Sequence, residues 1–265
     1  MKHVHFAAAA IFLAASACRQ SDQPTQGPVS GGQVPQYVTA AVADSGRDAQ
    51  RADDAKRHPA EIVAFSGAKP GDKVFELIPG SGYWTRILSK VVGPEGRVDA
   101  VWPLQYARYS VGDVQQLAAA AKQPAYNNVS VQVLPTAELS SPEPVDVVFT
   151  SMNYHDYPAE FMGDLDPSVL NKAVFAMLKP GGTYVVIDHR AAPGTTVAQT
   201  RDLHRIDPAL VRQQAEQAGF QFAGETAVLH RTDDDPKLKV FDPKVRGHTD
   251  KFALKFRKPA TGGST

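Results

Sequence analysis

Residues 73–85 read K-V-F-E-L-I-P-G-S-G-Y-W-T, and this stretch decides the fold. Val74, Phe75, Leu77 and Ile78 make the short apolar run of a strand buried on both faces, interrupted by the carboxylate of Glu76. At Gly80 and Gly82 the backbone is free to turn sharply and approach a ligand. Trp84, Ile87, Leu88 and Val91 then repeat at helical spacing. A strand that ends in a carboxylate and runs through glycines into a helix opens a nucleotide-type site at the carboxyl edge of a sheet.

Working outward, strands and helices alternate. The pattern predicts strands over 97–101, 129–134, 145–150 and 184–188, and helices over 114–121, 167–178 and 208–218. That alternation implies an α/β fold with a doubly wound, mostly parallel sheet. Strands over 219–229 and 251–257 bring the sheet to seven. In the last of these, Phe252, Leu254 and Phe256 alternate with Lys251, Ala253 and Lys255, the pattern of an antiparallel edge strand. Residues 231–250 are far longer than a hairpin needs, and such loops tend to be functional or mobile. Within them Asp233, Asp234 and Asp235 read as a solvated acidic run, and Arg246, Gly247 and His248 as a lid over the site. Residues 44–65 read as a polar helical segment covering the sheet or a cavity mouth, with Arg47, Arg51, Asp53, Asp54, Lys56 and Arg57 outward and Ile62, Val63 and Phe65 inward.

A chain of 265 residues, 43% hydrophobic, is enough for one sizeable core, so a single domain over 37–258 is expected. Lys+Arg and Asp+Glu both number 28, and a net charge of zero gives no global attraction for nucleic acid. Cys18 is the one cysteine, which excludes an internal disulfide and a thiolate zinc site.

At the amino terminus Lys2, an apolar run over 6–15 and Ala15-Ser16-Ala17-Cys18 have the organisation of a signal peptide, too short to span a membrane. Ending at cysteine, it resembles a bacterial lipoprotein signal. This implies cleavage before Cys18, a lipid anchor on its thiol, and an exported, periplasmic protein held at a membrane. An ordinary secretory signal is the alternative, and both lie outside the cytoplasm. The expected layout is signal over 1–17, flexible tether rich in Gln, Ser, Gly and Pro over 18–36, the domain, and a disordered tail over 259–265.

The glycine turn, with K-P-G-D-K at 69–73, G-P-E-G-R-V at 93–98 and M-L-K-P-G-G-T at 177–183, resembles the class I S-adenosylmethionine-dependent methyltransferases, whose first motif is acid-x-G-x-G-x-G. Glu76 takes the acid, Gly80 and Gly82 the second and third glycines, and Ile78 stands where the first glycine normally does. More narrowly, N-Y-H-D at 153–156, I-D-H at 187–189, L-H-R-I-D at 203–207 and V-F-D-P-K-V-R-G-H-T-D-K-F at 240–252 resemble a group of bacterial exported predicted methyltransferases.

The resemblance implies a Rossmann-like methyltransferase domain that uses S-adenosylmethionine. Glu76 would meet the methionine end of the cofactor, Tyr83 its sulfonium, and Asn153 would add a further contact. Trp102 stands at the end of the second strand, where an acid normally holds the ribose hydroxyls. Glu138 is the candidate adenine contact. Transfer is expected at the end of the fourth strand, in S-M-N-Y-H-D-Y-P at 151–158, with His155 as general base beside Tyr154 and Asp156. This segment is not the N-P-P-Y type of amino-group methylation, which implies a hydroxyl or carboxyl acceptor on a small molecule or envelope component. His189, His204 and Arg205 are substrate-contact candidates. Asp166-Pro167 and Asp207-Pro208 read as helix openings capped by Asp.

Two other functions stay open. Ile78 and Trp102 favour a non-catalytic ligand-binding protein on the same scaffold, and the His/Asp pairs would suit a metal-dependent enzyme. No metal is expected, because neither close pair has the i, i+4 spacing of helical zinc motifs. The oligomeric state is left open.

Overall fold

The apolar run after Lys73 forms a strand that divides its side chains between two cores, Val74 on one face of the sheet and Phe75 and Leu77 on the other. The computed structural model describes residue 1 and residues 33–163 and 165–260. The expected signal peptide, the anchor cysteine and most of the tether and tail lie outside the described residues, apart from Met1 at one end and residues 33–36 and 259–260 at the others.

The strands are β1 (Lys73–Leu77), β2 (Arg97–Pro103), β3 (Val129–Leu134), β4 (Val145–Ser151), β5 (Leu178–His189), β6 (Gln221–Thr226) and β7 (Lys251–Arg257). The helices are α1 (Gln36–Val42), α2 (Asp54–Arg57), α3 (Pro59–Ser66), α4 (Tyr83–Val92), α5 (Leu104–Ala107), α6 (Val111–Ala121), α7 (Pro167–Met177), α8 (Val197–Leu203) and α9 (Pro208–Gln217). The sheet runs β3-β2-β1-β4-β5-β7-β6. Strands β1 to β5 are parallel, and β7 lies antiparallel to both its neighbours. The chain winds outward from β1 in one direction and from β4 in the other, so the carboxyl ends of β1 and β4 flank the crevice in which such sheets hold ligands.

The helices follow from local chemistry. Asp166 and Asp207 cap α7 and α9, accepting from the N–H of Ser168 at 2.8 Å and of Ala209 at 2.9 Å, with Pro in the first turn of each helix. In α4, Ile87 and Leu88 are fully buried, each contributing about 1.5–3 kcal/mol of burial.

Three sequence expectations are corrected. The alternating strand 251–257 is not at the edge: β6 lies outside it, and Ala253, on the face opposite Phe252 and Leu254, is also fully buried. Arg47 is buried rather than exposed, because Asp54 takes its guanidinium in a two-pronged ion pair at 2.6 and 2.9 Å. Asp234 is not solvated. Its side chain, 1% exposed, pairs with Arg205 at 2.6 and 2.9 Å and accepts the N–H of Asp250 at 2.7 Å, so residues 231–250 are pinned to the body of the fold.

Candidate active site

The end of β1 and the start of α4 set the floor of the site. Ile78, Gly80 and Gly82 have φ of 51°, 56° and 85°. The left-handed region suits the glycines, but for branched Ile78 it is strained, by about 1–2 kcal/mol. The conformation is held from both sides: the Ile78 N–H donates to Val101 O at 2.8 Å, and Asn153 Nδ2 donates to Ile78 O at 3.3 Å. At Gly82 a Cβ would come within 2.6 Å of Leu117 and 2.8 Å of Arg86, whereas at Gly80 it would meet nothing within 4 Å, so the turn is tight on one side and open on the other.

Glu76 lies beneath this turn, 1% exposed, and accepts from the Thr85 hydroxyl at 2.6 Å. Burial pushes its carboxyl up to about 8, with the Thr85 hydrogen bond and the Arg86 charge pulling the other way. Glu76, Gly80, Tyr83 and Asn153 all border a cavity of about 190 Å3. Asp113, in the first turn of α6, borders it too. Trp102 does not: it is fully buried in the core and cannot take the place of the ribose acid. Glu138 is exposed and lines none of the cavities described here. Tyr83 donates to Asp54 at 2.6 Å and carries the Arg57 guanidinium 4.5 Å from its ring centroid, so a cation already covers a face expected to meet the sulfonium.

At the end of β4, Met152 is again left-handed, φ 61°, and its N–H donates to Ile187 O at 2.7 Å. The chain then turns inward. Asn153 takes the Thr150 hydroxyl and ties β4 to the β1 turn. Tyr154 is a core residue, its hydroxyl donating to Gln214 at 2.9 Å and accepting from Asn171 at 2.8 Å, which removes it from the catalytic group. His155 faces the opposite way. Asp188, fully buried at the end of β5, accepts its backbone N–H at 2.8 Å and lies 2.7 Å from Nδ1. A carboxylate there holds the proton on Nδ1 and leaves Nε2 as the acceptor. Burial pushes the imidazole down, but the charge and hydrogen bond of Asp188, with Asp156, outweigh it and raise its pKa above the ordinary value.

His155 Nε2 lies 3.3 Å from Asp156 Oδ1, and His204 Nδ1 lies 3.5 Å from the same oxygen. His204 closes α8 in a left-handed conformation, φ 52°, with its ring centroid 5.5 Å from that of His155. His189 joins them, 5.9 Å from His155 and bonded through Nδ1 to Thr249 at 2.8 Å; burial drives its pKa well down. These groups border a second cavity of about 500 Å3. Arg205 is elsewhere: it is fully buried, held by Asp234 and by the carbonyls of Leu238 and Arg190, and serves structure rather than substrate. His155, Asp156 and His204 offer three ligand atoms within 4.8 Å of one another, a set able to hold a divalent cation.

A third cavity, of about 260 Å3, adjoins both. Met152 lines all three, and Val240, Phe241 and His189 line both the second and the third. Sequence reasoning had passed over Met152 and Asp113. Asp188 adjoins His189 in the sequence, but its carboxylate lies against the imidazole of His155.

No family model matches the chain. The protein-L-isoaspartate O-methyltransferase of Ignicoccus hospitalis is 35% identical over 78 residues, 28% of this chain, and the chain spans about a third of the length of that relative, 32%. A solved S-adenosylmethionine-dependent methyltransferase of Aquifex aeolicus is 18% identical with a TM-score of 0.54, over 83% of this chain and 98% of that one. The cyclase SpnF is 16% identical with a TM-score of 0.56, over 84% and 93%. The chain therefore has the fold of the class I methyltransferases, a fold that also carries a protein named as a cyclase.

Proposed function

We propose that the protein transfers a methyl group from S-adenosylmethionine to a hydroxyl-bearing acceptor where the glycine-turn cavity meets the His155 cavity. The observation that carries this reading is the imidazole held by Asp188 on the far side of Met152 from the glycine turn. The residues fit the cofactor: Glu76 offers a carboxyl to its ammonium, Gly80 leaves the turn open, and Asp113 supplies the ribose acid in place of Trp102. When bound, the cofactor supplies a methyl group on a sulfonium, whose C–S electron pair stays on sulfur as a thioether. The acceptor oxygen forms the new bond to carbon, its proton passes to His155 Nε2, and Asp188 stabilises the resulting imidazolium.

The same proposal places the chain outside the cytoplasm, lipid-anchored at Cys18, with a small-molecule or envelope acceptor, as the likeness of residues 1–18 to lipoprotein signals and the N-Y-H-D and L-H-R-I-D stretches suggest. Calorimetric titration of a soluble form lacking residues through Cys18, with S-adenosylmethionine and its demethylated product, tests the core of it. Micromolar binding supports the reading; a folded protein that binds neither refutes it. His155→Ala is expected to abolish turnover and leave cofactor affinity unchanged.

A second reading is favoured by one further distance pattern. The 3.3 and 3.5 Å separations in the His155, Asp156 and His204 set match the ligand-to-ligand edge of about 3.3 Å in a tetrahedral zinc site. A stoichiometric metal on elemental analysis would make the ion, rather than His155, the group that lowers the acceptor's pKa.

A further inference from the structure

The third cavity is walled by two chemistries. Trp84, Ile187, Leu229 and Val240 make an apolar surface, while Lys56, Arg57, Arg246 and Lys251 bring four cations against one carboxylate, Asp53. In a chain of zero net charge this is a local imbalance of three positive charges, and its cations come from three distant segments: α2, the connection between β6 and β7, and β7. Arg57 is engaged, 3.7 Å from Asp53 and stacked on Tyr83. Lys56 and Arg246 stand exposed at the rim, and among the described residues neither they nor Lys251 makes an ion pair with a carboxylate.

Lys251 is the informative member. It is only partly exposed, and its ammonium is satisfied by one backbone carbonyl, Thr249 O, at 3.1 Å. Buried charges are ordinarily paired, and burial together with the like charges of Arg57 and Arg231 outweighs the attraction of Asp234 and Asp250 and pushes this one down to about 8. The cavity is thus electrostatically incomplete without an anion, yet its walls are too apolar for a fully hydrated inorganic one.

We propose that this cavity binds the acceptor, an organic anion with an apolar body, whose carboxylate or phosphate pairs with Lys251 under the rim of Lys56 and Arg246. Its hydroxyl reaches His155 across the shared wall of Met152 and His189. The binding site stands on its own; only the word acceptor rests on the methyl-transfer reading.

The test uses the full chain in a neutral detergent and four naphthalene probes: naphthoate, naphthyl phosphate, naphthol and naphthylmethylamine. Fluorescence titration without cofactor is expected to show an anion binding at least about tenfold tighter than naphthol, about 1.4 kcal/mol, and the amine weakest. Whichever anion binds tighter identifies the head group. Lys251→Met should erase the preference while the thermal midpoint stays near that of the parent. Arg246→Gln, on an exposed side chain, should reduce it and steepen no unfolding transition. Equal affinity for anion, alcohol and amine overturns the proposal, as does an anion preference untouched in both variants. Because cofactor is absent, anion binding by a chain that fails to bind S-adenosylmethionine would refute the methyl-transfer reading alone.

Discussion

Glu76 makes cofactor binding a proton-linked event. Its carboxyl, buried beneath the glycine turn, is pushed up to about 8, so in the free protein near neutrality it is mostly protonated. If the methionine ammonium requires the carboxylate, only the ionised fraction is competent: about 1% at pH 6 and half at pH 8. The apparent affinity for S-adenosylmethionine should therefore improve about 50-fold over that interval, on the order of 2 kcal/mol. Calorimetry near pH 7 in two buffers of different ionisation enthalpy should show close to one proton released per cofactor bound. The free protein should show the opposite trend. The folded pKa lies above the ordinary 4.5, so the contribution of Glu76 to stability is fully present below about pH 4.5 and is lost as pH rises through about 8, on the order of 5 kcal/mol across the window. Glu76→Gln keeps an acceptor for Thr85 and should flatten both trends relative to the parent. A parent affinity identical at pH 6 and pH 8, with no proton released, would sink the argument, as would a Gln variant with the same pH dependence.

The remaining predictions concern one ion pair and one carboxylate. Asp234→Ala should lower stability by about 3–5 kcal/mol in urea unfolding, because it strands the fully buried Arg205 guanidinium; a loss below about 1 kcal/mol would show that the pair does not pin residues 231–250. Asp113→Asn should weaken S-adenosylmethionine binding by about 10- to 100-fold, the worth of a charged hydrogen bond of about 1.5–3 kcal/mol, with stability unchanged. A variant that binds as tightly as the parent removes Asp113 from the ribose role.

What was legible in the sequence was local. The glycine turn, the strands to either side of it and the two Asp-Pro helix openings are written within a few residues of one another, and all formed where periodicity placed them. Facing was not legible. Tyr154, His155 and Asp156 are consecutive polar groups, and nothing in their order says that the tyrosine turns under the sheet while the other two turn into the site. Arg47 read as an exposed cation and Arg205 as a substrate contact because nothing in their order shows that Asp54, seven residues on, and Asp234, 29 residues on, fold back to take their guanidinium groups. Asp113 was invisible for the same reason: it reaches the glycine-turn cavity from α6, far from the motif it serves. The strand 251–257 was set at the edge because alternation of polar and apolar residues reports one covered face, and Ala253 is too small to announce the second.

Ile78 shows where the memory of this turn resides. A branched side chain occupies a backbone state that glycine prefers, and a hydrogen bond donated to β2 and one accepted from Asn153 keep it there. The shape of the loop is therefore enforced by neighbouring strand ends and not by the residue that sits in it. The architecture therefore keeps the turn without a glycine at position 78.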